Sequence, residues 1–534
     1  MSGKVERRIH ILLTLCIVFW ILLLGVYQYT WGYQMGMHSD TAGDLLHGQY
    51  VAQQGRIFFA DHWHPSTELR TVANPDAVFA LLFHFTSSWQ IVWALGSVIC
   101  YVLLAICAYF CARSCSLSRI DADLVVILYL LPNTLLGGAI IIWLFYTLYV
   151  AEALLFAGMY VRMRKEAGKL QKKWLAALAG VSLVIGLNGI RMLLILAVPL
   201  VCTEWIVWWK QKKDEAFERR ILFDLVSHMK WALLCASCMV VGFAVLRFVL
   251  EPRYAYGRAQ LIPIIWKPGQ VLTQALDLLP HRILSLFGAG GQASVFTPTG
   301  ILYGLQYAIA FLAMGIAWSC IRKVFREKAE TSCAFIMLFS AVAGIIMLIC
   351  LCLTDMGGEG GLTKRYMAVG FWGLPMILIG SYGAARRRGI RLVVSLILVA
   401  ATVICSGLPL IRDIRNAESF AEAPTSYARW LEDRGYRFGA ATFWHAGLTT
   451  ARTDGRLEMK NIRNDHEFSF YAWLQPEEYR EREVEFVMLT HEECEERFQN
   501  GMEQPAGVPV YEDSVYKIFD MTGKIAEHGA LPEP

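Results

Sequence analysis

Charged residues are scarce in this chain. Asp, Glu, Lys and Arg make up 18% of its 534 residues and hydrophobic residues 56%, where a soluble domain usually carries about 25% charge and 45–50% apolar residues. The shortage is concentrated in long uncharged runs, which excludes a soluble enzyme and a disordered chain. An outer-membrane barrel is excluded as well, because its strands alternate apolar and polar residues in short segments. The 14 cysteines form no framework. Most lie inside apolar runs (Cys16, Cys100, Cys107, Cys235, Cys238, Cys350, Cys352, Cys405), where cysteine acts as a small hydrophobe, so a secreted disulfide scaffold is also excluded. The net charge of +4 is too small and too dispersed for a nucleic-acid partner. No His-Glu-x-x-His zinc motif occurs. The run Gly357-Gly358-Glu359-Gly360-Gly361 lacks the Lys-Ser/Thr of a phosphate-binding loop.

What is present is a series of apolar runs, each near the roughly 20 residues that cross a bilayer. About eleven spans are expected, over 9–29, 87–112, 121–137, 139–161, 174–188, 191–209, 231–250, 301–321, 332–354, 367–385 and 390–411. The opening run is too long for a signal peptide and no small-residue cleavage site follows it. Cytoplasmic loops concentrate Lys and Arg. A break at Asn188-Gly189 puts all the strongly basic segments on one side, among them Arg162–Lys173, Lys210–Arg220 and Arg386–Arg391. That predicts a multi-pass protein of the cell membrane, with its N-terminus cytoplasmic and its C-terminal segment outside. Two large loops, about 30–88 and 251–300, then lie on the outer face.

Residues 1–412 therefore form a multispan domain. Residues 413–534 turn polar and acidic and read as a small extracytoplasmic α/β domain, with a helix in SFAEAPTSYARWLEDRG and strands in RFGAATF, RLEMKNI, EVEFVML and SVYKIFDM. It offers no defensible nucleophile–base set, so it is expected to position an acceptor rather than catalyse.

Several residues could carry chemistry. Asp40 and Asp44 follow the first span and open a helix read as lying on the membrane surface up to Gln54. Asp40 is either the N-cap of that helix or a general base. An Arg at membrane depth needs a partner or water, which draws attention to Arg191 in Asn188-Gly189-Ile190-Arg191. Lys364-Arg365-Tyr366 opens a late span; its cations either anchor the helix at headgroups or grip a phosphate, for which Arg has a planar fork. The predicted topology brings Asp40, Arg191 and Arg365 to one face. Glu152, inside a span, is expected to pair structurally, for example with Arg247. His62 and His64 in ADHWHPSTE are spaced for a strand or loop and read as interface residues or sugar contacts rather than zinc ligands. Trp63 is either a stacking face for a sugar or an interface anchor.

The segment SDTAGDLLHGQYVAQQG, an Asp after the first span followed by a surface helix, a Gly turn at Gly55, an aromatic segment and a Pro, resembles the first outer loop of GT-C glycosyltransferases. Protein O-mannosyltransferases and bacterial aminoarabinose transferases are examples. The chain departs from that pattern at Thr41, where a Glu is usual. TDMGGEGGLTKRYMAVGFWGLP, with Lys364, Arg365, Tyr366 and then Pro375, is similar to the Arg-Tyr pair and later Pro of that family. The resemblance implies a polytopic GT-C-like fold and transfer of a sugar, with inversion, from a polyprenyl-phosphate donor to a glycan, lipid or protein acceptor on the outer face. It implies Asp40 as base, with Asp44 the alternative. It also implies Arg191, Lys364 and Arg365 on the donor phosphate, and Tyr366, Trp63, His62 and His64 as donor or acceptor contacts. Metal is left open, since some members of the family use a divalent cation and others none. A lipid-linked glycan ligase or polymerase is the nearest alternative. A transporter or flippase is a further one, although the halves show no repeat.

Overall fold

The computed structural model describes residues 3–522 except 67, 68, 70, 73, 132–140, 142, 213–220, 257–267, 287, 288, 292, 327–330, 355–363, 381–387, 421–425, 504, 506 and 507. Among the described residues, eight helices are long and apolar enough to cross a membrane: Lys4–Gly36, Trp89–Ser114, Leu144–Lys165, Ile190–Lys212, Phe223–Tyr254, Pro298–Val324, Ser332–Leu353 and Ser395–Ala417. Their outward faces are apolar. On the first helix Leu12, Leu15, Phe19 and Leu22 recur at three- and four-residue spacing and are all exposed, as a hydrocarbon-facing stripe requires. Its inner face buries Trp20, whose indole N–H donates to the Leu130 carbonyl at 2.8 Å. Leu144–Lys165 is buried along most of its length and forms the centre of the bundle.

Three of the eleven expected spans take another form. Arg119–Leu130 is a 12-residue helix, enclosed by its neighbours almost throughout; the rest of the predicted span 121–137 lies largely outside the described residues. Gly168–Gly186 spends its first turns on Lys169, Lys172 and Lys173, which leaves a short apolar part. The tenth is broken into Lys364–Gly370 and Leu374–Gly380, and the Gly373 N–H in the turn between them donates to Ser340 Oγ at 3.0 Å. The break at Asn188-Gly189 is present: Gly189 has φ +92°, a conformation favouring glycine, and a new helix starts at Ile190. Next to it Gly168–Gly186 crosses Ile221–Val245 at very close range, since a Cβ on Gly186 would lie 2.0 Å from the Met239 carbonyl oxygen. Small residues allow such crossings.

The C-terminal unit is built on a five-stranded sheet. Two-residue strands β1 (Trp63–His64) and β4 (Gln475–Pro476) pair separately; the sheet itself contains β2 (Phe438–Thr442), β3 (Glu458–Ile462), β5 (Phe486–Thr490), β6 (Tyr511–Glu512) and β7 (Tyr516–Asp520) in the order β3-β2-β5-β7-β6. β2 runs parallel to β3 and β5, whereas β7 runs antiparallel to β5 and β6. The run EVEFVML is apolar at consecutive positions because β5 is buried on both faces: Phe486 and Met488 join one cluster, Val487 and Leu489 the other. All four segments read as strands in the sequence are strands, and Ser426–Asp433 is the expected helix, followed by Gly435 at φ +80°. The preceding membrane helix is longer than expected and runs Arg388–Phe420.

The helix Ser39–Gln53 does not lie open on a surface. Its residues from Ser39 to Gly48 are buried apart from the half-buried Asp40. The helix Pro75–Phe83 packs on one side, with Phe79 against Gly48. The C-terminal unit covers the other: Leu474 presses on Gly43, and Ser39 Oγ donates to the Trp444 carbonyl at 2.8 Å. The surface-helix reading failed because the covering surface is supplied some 400 residues later in the chain, by residues no local pattern connects to it.

Candidate functional site

The site is assembled from the first turns of helices. His38, in extended conformation, is the N-cap of Ser39–Gln53: its Nδ1 accepts the Asp40 backbone N–H at 3.2 Å, and Thr41 Oγ accepts the His38 N–H at 3.1 Å. Of the two readings of Asp40, the cap therefore falls away, and His38 with Thr41 takes that role. Asp40 sits inside the first turn, with its Oδ2 3.5 Å from the capping His38 Nδ1. Arg365, in the first turn of Lys364–Gly370, donates to Asp40 Oδ2 from Nη1 at 3.1 Å. Both side chains are about one-fifth exposed, at 20% and 17%.

Aromatic rings surround this pair. The Arg365 guanidinium lies 5.0 Å from the Tyr366 ring centre and 5.6 Å from that of Trp143. The Arg191 guanidinium lies 5.6 Å from the same Tyr366 ring, 5.6 Å from Tyr146 and 5.8 Å from Tyr149. Cations over aromatic faces are held without consuming their hydrogen bonds. Two buried donors, Arg365 Nε and Trp143 Nε1, have no hydrogen-bond partner among the described residues. Buried donors are ordinarily paired.

The C-terminal unit forms one wall. Trp444 meets the His38 ring edge-on at 5.8 Å. Burial pushes the Tyr471 phenol above its ordinary value; Arg463 opposes this and the charge of Asp40 adds to it. Trp444 and Tyr471 also line an open cleft of about 860 Å³, together with Arg463, Glu492, Glu493 and Glu496. The unit is thus closer to Asp40 than a merely appended domain would be.

The structure brings together Asp40, Arg191, Arg365 and Tyr366. Lys364 begins the same short helix as Arg365, and its side chain lies outside the described residues. Asp44 is enclosed, with 1% exposure. His62, Trp63 and His64 are placed elsewhere, on a seam joining three parts of the chain. β1 pairs with β4, the Tyr256 N–H donates to the Trp63 carbonyl at 3.0 Å, and His64 Nε2 hydrogen-bonds Glu477. Trp63 offers no open stacking face, because His47 is stacked on it at 4.6 Å and it is buried. The His62 ring contacts Tyr256. Burial lowers the pKa of His64. These residues join parts of the chain to one another, which is neither the sugar contact nor the membrane-interface anchor that their sequence suggested.

Glu152 is held by the Asn188 side chain, whose amide nitrogen donates to both carboxylate oxygens at 2.9 and 2.8 Å, while Arg247 pairs with Glu251. The expected Glu152–Arg247 pairing is therefore replaced. Asn188 Oδ1 accepts from Thr71 Oγ and the Val72 N–H, both at 3.1 Å, which fixes the turn carrying Arg191 to the first large loop.

Sequence reasoning missed His38, Trp143, Tyr146, Tyr149, Trp444 and Tyr471. The available signal for His38 was its place just before a helix, three residues ahead of a Thr. Among the described residues, no group of three or more His, Cys, Asp or Glu could hold a metal ion.

No family model matches the chain, and no curated protein matches it in sequence. Among solved structures, it aligns with the archaeal oligosaccharyltransferase AglB from Archaeoglobus fulgidus, determined in complex with an inhibitory peptide and a dolichol-phosphate. The TM-score is 0.45 at 12% identity, covering 90% of this chain and 69% of that one. A likeness at that level says nothing of what this chain binds or does.

Proposed function

We propose that this protein is a membrane glycosyltransferase of the GT-C kind, which moves a sugar from a polyprenyl-phosphate donor to an acceptor hydroxyl. The observation that carries the reading is the grouping of a carboxylate, two arginines and unpartnered buried donors at one site. Arg365 Nε and Trp143 Nε1 are suited to an anion, and Arg191 stands across the Tyr366 ring from Arg365. The N-terminal ends of Leu144–Lys165 and Ser39–Gln53 add partial positive charge on the same side. The sequence resemblance at Asp40 and at Lys364-Arg365-Tyr366 supplies the sugar-phosphate chemistry.

In this mechanism the donor phosphate competes with Asp40 for Arg365 and so releases the carboxylate. Asp40 takes the proton of the acceptor hydroxyl, whose oxygen bonds to the anomeric carbon. The bond from that carbon to the phosphate oxygen breaks on the opposite face, which inverts the centre. Its electron pair leaves with the phosphate, whose growing charge Arg365 and Arg191 stabilise. The cleft beside Trp444 and Tyr471 is the acceptor's approach.

The test is purified protein supplied with a panel of polyprenyl-phosphate sugars and simple acceptors, with and without a chelator, reading release of polyprenyl phosphate. Release that Asp40→Asn abolishes is the expected result. No release from any donor, combined with movement of labelled lipid across vesicles, would overturn it in favour of a flippase. The Asp40–Arg365 ion pair gives Asp40 a structural task as well and so keeps a lipid-linked glycan ligase as the second reading. Turnover surviving Asp40→Asn but lost in Arg365→Ala selects the ligase.

A further inference from the structure

A single ring nitrogen of His38 stands between two roles. Nδ1 accepts the Asp40 backbone N–H at 3.2 Å as the helix cap, and the same atom lies 3.5 Å from Asp40 Oδ2. That oxygen in turn receives Arg365 Nη1 at 3.1 Å. Caps are ordinarily Ser, Thr, Asn or Asp, whose oxygens accept at any physiological pH. A histidine caps only while the accepting nitrogen is unprotonated, which assigns the neutral ring its proton on Nε2.

We propose that His38 is the positioning residue for Asp40, leaving the carboxylate to Arg365 when neutral and gripping it as a second cation when protonated. A proton on Nδ1 removes the acceptor from the Asp40 N–H and turns that nitrogen into a donor aimed at Asp40 Oδ2. Asp40 is then held by two cations and becomes a poorer base. Trp143 and Trp444 both meet the ring edge-on, at 5.6 and 5.8 Å, and help to hold it in place. The charged groups facing it are Asp40 on its own helix and Arg365 on Lys364–Gly370; the two tryptophans bring none. Burial lowers its pKa most, Asp40 opposes this and Arg365 adds to it. The neutral, positioning form therefore prevails near neutrality, and the switch falls on the acid side.

The inference rests on the reading of Asp40 as base, and two measurements separate the failure of one from the failure of the other. The first is the pH profile of donor turnover with a polyprenyl-phosphate sugar in the wild type and in His38→Asn. Asn caps a helix as Asp does but does not titrate. The acid-side midpoint should move toward the carboxylate range by about one pH unit or more. An unchanged midpoint in an active His38→Asn enzyme overturns the proposal. The second needs no turnover: NMR titration of the labelled His38 ring in detergent. Removing the Asp40 charge in Asp40→Asn should lower the ring's midpoint further. If the wild type proves inactive toward every donor, this titration decides alone. A midpoint that responds to Asp40→Asn supports the coupling, and one that does not overturns it.

Discussion

Arg365 and Asp40 lie 325 residues apart in the sequence and 3.1 Å apart in space. In the proposed transfer the pair must open before Asp40 can reach an acceptor hydroxyl, because its Oδ2 is engaged by Arg365. A phosphate opens it naturally, since it accepts the same planar fork. On the proposed mechanism, arrival of the donor is what frees the base.

Asp40→Asn is expected to lower turnover by at least about 10² to 10⁴, the usual worth of a positioned base. Folding should be little affected, because His38 and Thr41 carry the cap. Donor-turnover assays beside thermal melts check this. Asp44→Asn is the matched control. Asp44 is enclosed, so its loss should lower the melting temperature more than the rate.

Arg365→Lys keeps the charge and loses the fork. It is expected to raise the donor KM, while Arg365→Ala reduces kcat by about 10² to 10³, as loss of one charge-stabilising group does. Because Arg191 and Arg365 share the Tyr366 ring, the Arg191→Ala and Arg365→Ala effects should be non-additive in a double-mutant cycle. Strict additivity would mean that the two arginines act separately.

Asn188→Ala leaves the buried Glu152 carboxylate without the amide that binds both its oxygens. The cost should be about 1–3 kcal/mol, more if the carboxylate stays charged. Unfolding in detergent would measure it. Glu152→Gln should cost less than Asn188→Ala, since an amide can still hydrogen-bond Asn188.

Acid should loosen the seam at β1 and β4. Burial holds His64 below its ordinary pKa, so the unfolded chain binds the extra proton first. The stabilising contribution is complete above the ordinary imidazole value of about 6.5 and falls away as pH drops through the lowered folded value. Limited proteolysis of the C-terminal unit should therefore accelerate on the acid side in the wild type. If acceleration persists unchanged in His64→Gln, His64 is not its cause.

The apolar runs of the sequence mark the spans because hydrocarbon imposes a length on them, and EVEFVML marks a strand because both its faces are buried. Asp40, Arg191 and Arg365 converge as the sequence topology predicts, since all three sit at helix starts on one end. The aromatic wall was not legible. Trp143, Tyr146, Tyr149, Trp444 and Tyr471 belong to a chain with 17 Trp and 22 Tyr, and only tertiary contacts single them out. His62, Trp63 and His64 misled because a short polar-aromatic cluster reads alike whether it meets a sugar or the chain's own β4.

The wall that Trp444 and Tyr471 raise beside Asp40 has a consequence in time. A ribosome makes Asp40 early, Arg191 and Arg365 in the course of membrane insertion, and Trp444 and Tyr471 only near the end. His38 and Asp40 therefore wait, lacking that wall, until the last fifth of the chain has emerged and folded. A nascent or prematurely terminated copy therefore carries Asp40 without the Trp444 carbonyl that Ser39 beside it binds and without the ring that meets His38.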